Sequence, residues 1–244
     1  MDKVSSLTIC QDESSFILQT LEWLRDYVKP DQYVIIDGGS KDNTVDKIKY
    51  FQKQDSANIC LRINEMPDSF SEQKNIALAE VTSEWVLQID VDETYSKSIS
   101  RLIDEIRADK HKDVFGFVFP TANLIRDVKT INSDRGLEPH LRLYRKDTRT
   151  EYYGEVHEHL CFNGKWIMKG IEGFNVVHDN NIALKHYSLL KSDAELFEKG
   201  KRYMKWAQRS AKKGIPLNGE KHFIEKKYKL IKEDNLKEIP KEWE

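Results

Sequence analysis

Within its first 110 residues the chain alternates four times between strand-like and helix-like segments, and few folds admit that pattern. "SSLTIC" reads as a strand. Ile17, Leu21, Leu24 and Val28 then fall at helical spacing, with Ser14 or Ser15 as candidate cap and Pro30 as stop. "YVIID" leads into "DNTVDKIKYF", whose Val45, Ile48 and Phe51 point one way. "NICLRI" leads into "SFSEQKNIALAEV", where Ser69 and Glu72 have capping-box spacing. "WVLQID" leads into "SKSISRLIDEIRADK", with Ile99, Leu102, Ile103 and Ile106 on one stripe. Repeated strand–helix units predict an α/β fold with a mostly parallel sheet, covered by helices on both faces. In such sheets ligands bind beyond the carboxyl ends of the strands.

The alternation stops near residue 113. "VFGFVFP", "PHLRLYRK" and "GFNVVH" read as strands with no helix between them, so a smaller, mixed or antiparallel region is expected there. "SDAELFEKGKRYMKWAQRSAKK" returns to helical spacing. Ser192 and Glu195 form its capping box, and Leu196, Tyr203, Met204 and Ala207 share a face. "GIPLNG" reads as a turn, and "HFIEKKYKLIKE" as a last helix carrying Ile224, Tyr228 and Ile231. The expected division is residues 1–113, 114–190 and a helical segment 191–244 within one domain overall. A chain of 244 residues is long enough to bury a core without staples.

Charge and cysteine use narrow the class. The net charge is −2, yet residues 185–244 hold 16 Lys+Arg against 10 Asp+Glu. A basic segment suits a phosphate-rich partner or an anionic membrane face, or is simply a solvated helix surface. No apolar run reaches spanning length, which predicts no transmembrane segment. "MDKVSSLTICQDE" lacks a signal-peptide pattern, and Cys10, Cys60 and Cys161 are too scattered for a disulfide or metal framework. A cytoplasmic protein is expected, with peripheral attachment at the inner membrane face left open.

Acidic residues cluster at the predicted strand ends: Asp12 and Glu13 after the first, Asp37 after the second, Asp90 and Asp92 after the fourth. Separate segments thus deliver carboxylates to one rim. In "DGGSKDNT", Gly38 and Gly39 let backbone come close to a ligand, and Asp37 can accept from ribose or base donors. A plain strand-to-helix turn capped by Asp42 or Asn43 explains the same residues. The loop is neither a dinucleotide fingerprint nor a P-loop. An Asp-x-Asp after a buried strand suits Mg²⁺ or Mn²⁺ shared with a diphosphate. It equally suits an acidic turn, with Glu93 starting the next helix. "YYGEVHEHL" places His157, Glu158 and His159 together, and Glu158 is a candidate general base. His178 in "NVVHDN" and His186 in "LKHYS" are candidates to complete a metal site.

In order, "ICQDES", "VIIDGGSKDNT", "SEQKNIAL", "EWVLQIDVDE", "RLYRKD", "GEVHEHL" and "KHYS…YMKWA" resemble glycosyltransferase family 2, in the subgroup similar to lipopolysaccharide-core enzymes of the WaaE type. The resemblance covers roughly residues 5–210. It implies a GT-A fold: a Rossmann-like nucleotide-sugar half followed by an acceptor half. It also implies that Asp12 or Glu13, with Asp37 and Gly38, hold the nucleoside, that Asp90 lies near the ribose, and that Lys74 and Asn75 lie near the donor. Asp92 would bind Mn²⁺ or Mg²⁺ on the diphosphate, Glu158 would be the base, and His157 and Arg142 would contact acceptor or donor. "QDE" stands where the family has "NEE", which bears on Gln11.

The activity so implied is inverting transfer from a nucleoside-diphosphate sugar, UDP-sugar favoured, to a hydroxyl of a surface or lipid-linked saccharide. A nucleic-acid acceptor such as hydroxymethylated DNA bases is the alternative. A nucleotidyltransferase would carry a glycine-rich phosphate loop near the N-terminus, where "CQDESS" has none. The intact Asp90, Asp92 and Glu158 argue against a non-catalytic binding module. The sequence leaves sugar, acceptor and oligomeric state open.

Overall fold

The computed structural model describes residues 1–67, 69–125, 127–132, 138–154, 158–167, 173, 175–210 and 236–244, with the side chains of 132 and 202–210 excluded. His157, the turn at 214–219 and the expected last helix with Ile224, Tyr228 and Ile231 lie outside them.

The four repeats form as expected: β1 (Val4–Cys10), α1 (Ile17–Tyr27), β2 (Gln32–Asp37), α2 (Thr44–Asp55), β3 (Ile59–Ile63), α3 (Phe70–Glu80), β4 (Trp85–Gln88) and α4 (Ile99–Arg107). Period-two alternation sorts their side chains. Tyr33 and Ile35 of β2 pack with α1, α2 and α4, while Val34 and Ile36 pack on the other face with Ala77 and Leu78 of α3. Helices therefore cover both faces. On α4, Ile99, Leu102, Ile103 and Ile106 are all buried. Each contributes about 1.5–3 kcal/mol by leaving water.

Two helix starts differ in how they are capped. At α3 the Ser69 side chain accepts from the Glu72 N–H, as its spacing predicts. At α1 the cap is Phe16, with no side-chain bond, and neither Ser14 nor Ser15 serves. Ser15 Oγ instead donates to Glu195 at 2.7 Å, and the Ser14 N–H donates to Asp42 at 3.0 Å.

The later strands are β6 (Val114–Asn123), β7 (Thr130–Asn132), β8 (Pro139–Arg145), β9 (Thr150–Tyr153), β10 (His159–Phe162), β11 (Lys165–Trp166), β12 (Asn175–His178) and β13 (Leu184–His186). Most of them extend the first sheet rather than forming one of their own. With β5 (Glu93–Tyr95), nine strands among the described residues run in the order β3-β2-β1-β4-β8-β6-β13-β5, with β12 on β6. Strand β8 is antiparallel to both β4 and β6, which carries on the parallel direction of β4. Strands β9, β10 and β11 make a small antiparallel sheet whose Tyr152 and Leu160 join the α3 side of the core. After β13 come a 3₁₀ turn at Ser188–Leu190 and α5 (Asp193–Ser210); β14 (Leu236–Glu238) pairs with β7. At α5 the capping box closes in both directions between Ser192 and Glu195, and Leu196 is fully buried.

Strand β5 corrects the expectation for Glu93. It does not open a helix: it pairs with His186 across an antiparallel ladder to β13 and is buried. The partner strand lies some 90 residues away, beyond the reach of local patterning.

His140 on β8 gives a pH-dependent contribution to stability. Its Nδ1 lies 2.7 Å from Thr121 Oγ1 and 3.1 Å from the Glu138 carbonyl. Burial, with the nearby Arg142 charge, lowers its pKa to about 4. The unfolded chain binds this proton near pH 6.5 and the folded chain only near 4. The contribution is therefore complete above 6.5 and lost as pH falls towards 4. Between pH 7 and 4.5 the wild type should lose about 2 kcal/mol more than His140→Gln in urea unfolding. Parallel pH profiles for the two proteins would refute this.

Candidate functional site

Strand β1 pairs in parallel with β2 on one side and β4 on the other. The connections diverge there, which makes the carboxyl ends of β1 and β4 the switch point at which such sheets bind ligands. Three loops meet at it.

The loop after β2 is built around Asp37, which is fully buried. Its carboxylate accepts from the Gly39 N–H at 3.0 Å, the Ser40 N–H at 2.8 Å and Ser40 Oγ at 2.5 Å, and the Cys10 thiol lies at 3.6 Å. Asp37 thus pins its own turn, in which Gly39 takes φ +83°. Gly38 is closely packed: a Cβ would lie 3.0 Å from the tip of the Met66 side chain and 3.1 Å from Gln11, so a larger residue would push these neighbours aside. The loop after β1 is laced to this turn. Asp12, at φ +52°, accepts from the Lys41 N–H and donates its own N–H to Ser40, and the Glu13 N–H donates to Thr44. Gln11 donates to the Gly38 carbonyl at 3.0 Å, a structural use of that position.

The third loop is the acid turn. The Glu93 N–H donates to the Asp90 carbonyl, and the Glu93 carboxylate accepts from the Asp90 N–H at 2.9 Å. Glu93 and Asp90 then share Arg142, whose guanidinium is 2.8 Å from the first and 3.6 Å from the second. Arg142 also bonds Gln88, and its buried Nε has no hydrogen-bond partner among the described residues. Burial would disfavour charge on Asp90, but Lys74 and Arg142 hold its pKa below the ordinary value. Burial raises that of Glu93, against the pull of Arg142.

Lys74, almost fully buried, is 3.6 Å from Asp90 and in close contact with Glu158. Burial opposes its charge, but Asp90 and Glu158 outweigh burial and raise its pKa. One ammonium therefore links the candidate base to the acid turn. Asn75, its neighbour on α3, turns elsewhere: it bridges the backbone N–H and carbonyl of Tyr152 at 2.7 and 2.9 Å. It also lines a cleft of about 650 Å³ between α3 and β9, with Ser69, Glu72, Tyr152 and Tyr153. The acid turn is not part of that lining, so cleft size does not mark the carboxylate cluster.

Asp92 meets three nitrogen groups from the far end of the chain. Its Oδ2 is 3.1 Å from Lys191 and 3.2 Å from Lys199, while its Oδ1 faces His186 Nε2 at 3.5 Å. Burial would raise its pKa, but Lys199, Lys191 and His186 hold it well below the carboxylate range. Glu13, 2.6 Å from Lys191, is shifted the other way by burial and by the charge on Asp92. His178, by contrast, is exposed on β12 opposite Val118 and is not among the groups around Asp92.

The His186 geometry tests whether a divalent cation fits. Its Nδ1 is 2.9 Å from Asn123 Oδ1, and with Nδ1 as donor the Nε2 lone pair faces Asp92 Oδ1. A proton on Nε2 closes this contact as an ion pair, and with the ring neutral a divalent cation can take the proton's place between the two acceptors. Asp92 and His186 would supply one oxygen and one nitrogen. Among the described residues no three His, Cys, Asp or Glu side chains gather as a metal site, and a cation on Asp92 and His186 would have positions open to substrate oxygens and water. The residues fit a cation held jointly with a phosphate.

Residue spacing did not single out Lys191, Lys199, Asn123, Gln88 or Glu93 as contributors. The one local signal was that Lys191 directly precedes the Ser192 capping box, five residues after His186.

Comparison with known proteins follows the same outline. The family model described as Glycosyl transferase family 2 matches residues 5–168. The SPbeta prophage-derived glycosyltransferase SunS of Bacillus subtilis (strain 168) is 26% identical over 190 residues, covering 72% of this chain and 41% of the relative. Glycosyltransferase SunS of Bacillus phage SPbeta matches to the same extent. The chain thus spans about two fifths of the length of these curated relatives. Among solved structures, mannosyltransferase PcManGT from Pyrobaculum calidifontis, in complex with GDP-Man and Mn²⁺, superposes with a TM-score of 0.56 at 12% identity, covering 93% of this chain and 69% of that one. S. aureus TarS 1-349 gives 0.52 at 16% identity, with 84% and 65% covered. At these identities the likeness is one of fold.

Proposed function

The chain belongs to glycosyltransferase family 2, and from that premise we propose that it moves a sugar from a nucleoside-diphosphate sugar to an acceptor hydroxyl with inversion at the anomeric carbon. The observation that carries this reading is the meeting of Glu13, Asp90, Asp92 and His186 at the β1–β4 switch point, with Glu158 joined to them through Lys74. A neighbour of the same fold holds GDP-Man and Mn²⁺. Mn²⁺ or Mg²⁺ is the matching cofactor, and a UDP-sugar is the donor to test first.

In the reaction the nucleoside lies over the loops after β1 and β2, its phosphates towards Asp92. Asp92 and His186 would hold the cation, which when bound would neutralise charge on the departing diphosphate. Asp90, fixed by Gln88, Glu93 and Arg142, lies beside the ribose. Glu158 takes the proton of the acceptor hydroxyl as that oxygen attacks the anomeric carbon. The bond from that carbon to the β-phosphate oxygen breaks, and the electron pair leaves with the nucleoside diphosphate. Residues 1–113 form the donor half and 114–190 the acceptor half. The acceptor is a saccharide, surface or lipid-linked.

A panel of UDP-, GDP- and dTDP-sugars, incubated with the chain and Mn²⁺, should give nucleoside diphosphate from one donor class, with EDTA suppressing the release. Release of pyrophosphate instead would identify a nucleotidyltransferase. No turnover and no nucleotide binding in calorimetry would make the chain a non-catalytic module. Among the described residues no helix is long and apolar enough to cross a membrane.

A further inference from the structure

Two cations reach the acid turn from the far end of the chain. Lys191 follows the 3₁₀ turn and stands between Glu13 at 2.6 Å and Asp92 at 3.1 Å, with 5% of its side chain exposed. Lys199 comes from α5, 3.2 Å from the same Asp92 oxygen and 2.8 Å from Ser188 Oγ. Helix geometry fixes where Lys199 points. Glu195, one turn earlier on the same face, is tied to Ser15 beside the β1 loop at 2.7 Å, so that face is turned to the rim. Both ammoniums take Oδ2 of Asp92 and leave Oδ1 to His186. Two carboxylates are thus balanced by two lysines where the proposed reaction brings a strongly negative diphosphate.

We propose that Lys191 and Lys199 form a resident cationic clamp for the leaving diphosphate. While the donor site is empty they neutralise Asp92 and Glu13; when the donor enters, they turn to its phosphate oxygens. The clamp rests on the nucleotide-sugar reading above. A lysine suits both states because its ammonium is a point charge on a flexible stem, free of the fixed fork geometry of arginine. Until the phosphates arrive, the same ammoniums compete with a divalent cation for Asp92. Metal alone should therefore bind weakly, and metal with nucleotide together.

Binding experiments on Lys199→Gln and Lys191→Gln test this without turnover. Calorimetry in EDTA, with UDP, GDP and dTDP as probes, should show the preferred nucleotide binding the wild type and losing about tenfold in each variant, the weight of one hydrogen bond to a charged group. Mn²⁺ alone, followed by the spin resonance of the free ion, should bind Lys199→Gln about tenfold more tightly than the wild type, because a competing charge has gone. Lys199 is a quarter exposed at the rim, so its variant should fold and carry the test even if Lys191→Gln does not. Unchanged nucleotide binding in Lys199→Gln, or Mn²⁺ binding that is unchanged or weaker, overturns the clamp and leaves the transferase reading standing. A wild type that binds none of UDP, GDP and dTDP, with or without Mn²⁺, overturns both.

Discussion

Asp92→Asn should lower kcat/KM for sugar transfer by about 10³-fold or more while the protein stays folded, because several kcal/mol of charge stabilisation at the leaving diphosphate depend on one carboxylate. Asparagine keeps the shape but cannot face His186 and a cation as an anion. The main-chain contact from the Tyr187 N–H to the Asp92 carbonyl, at 2.8 Å, is untouched, so the turn survives. The variant does leave Lys191 and Lys199 without their shared charge, and Lys191 keeps Glu13 at 2.6 Å. Circular dichroism and a melting curve separate misfolding from loss of chemistry. A folded Asp92→Asn protein with transfer within tenfold of the wild type would falsify the role given to this residue.

The second large effect is expected at Glu158. Glu158→Gln should reduce kcat by about 10²–10⁴-fold, the range a positioned general base supplies. The binding constant for nucleoside diphosphate should hardly move. The reason is the route of contact: Glu158 touches the acid turn through Lys74, and Lys74 retains Asp90 at 3.6 Å when Glu158 is neutral. KM for the acceptor and the affinity for UDP, measured on the same preparation, separate the two outcomes. If nucleotide affinity falls as far as kcat, Glu158 acts by holding Lys74 rather than by accepting a proton.

The two expectations differ in how they became legible. Asp90, Asp92, Asp37 and Glu13 were readable because parallel strands end on one rim, and local apolar patterning marks strand ends. The strand–helix repeats and the capping boxes at Ser69 and Ser192 followed from rules that act within a few residues, whereas the β1–β4 switch point rests on the pairing of strands about 80 residues apart. Asp37 and Asn75 show the limit of such rules. Their positions were legible, yet one spends its acceptors on its own turn and the other bridges α3 to β9. Residue type and place do not reveal which lone pairs the fold has already used.

The sequence by itself determined the class of fold, the rim on which the acids gather and the family to which the chain belongs. Those properties rest on short-range periodicity and on motifs kept in order. Only the tertiary structure decided which groups share a charge. It drew His186 from β13 and the lysines beyond it, roughly a hundred residues along the chain, onto Asp92. It turned Glu93 from a helix start into a buried partner of Arg142, and it left His178 exposed on β12. Ion pairs form wherever side-chain tips meet within a few ångströms. Strand pairing and helix docking, not separation along the chain, bring those tips together.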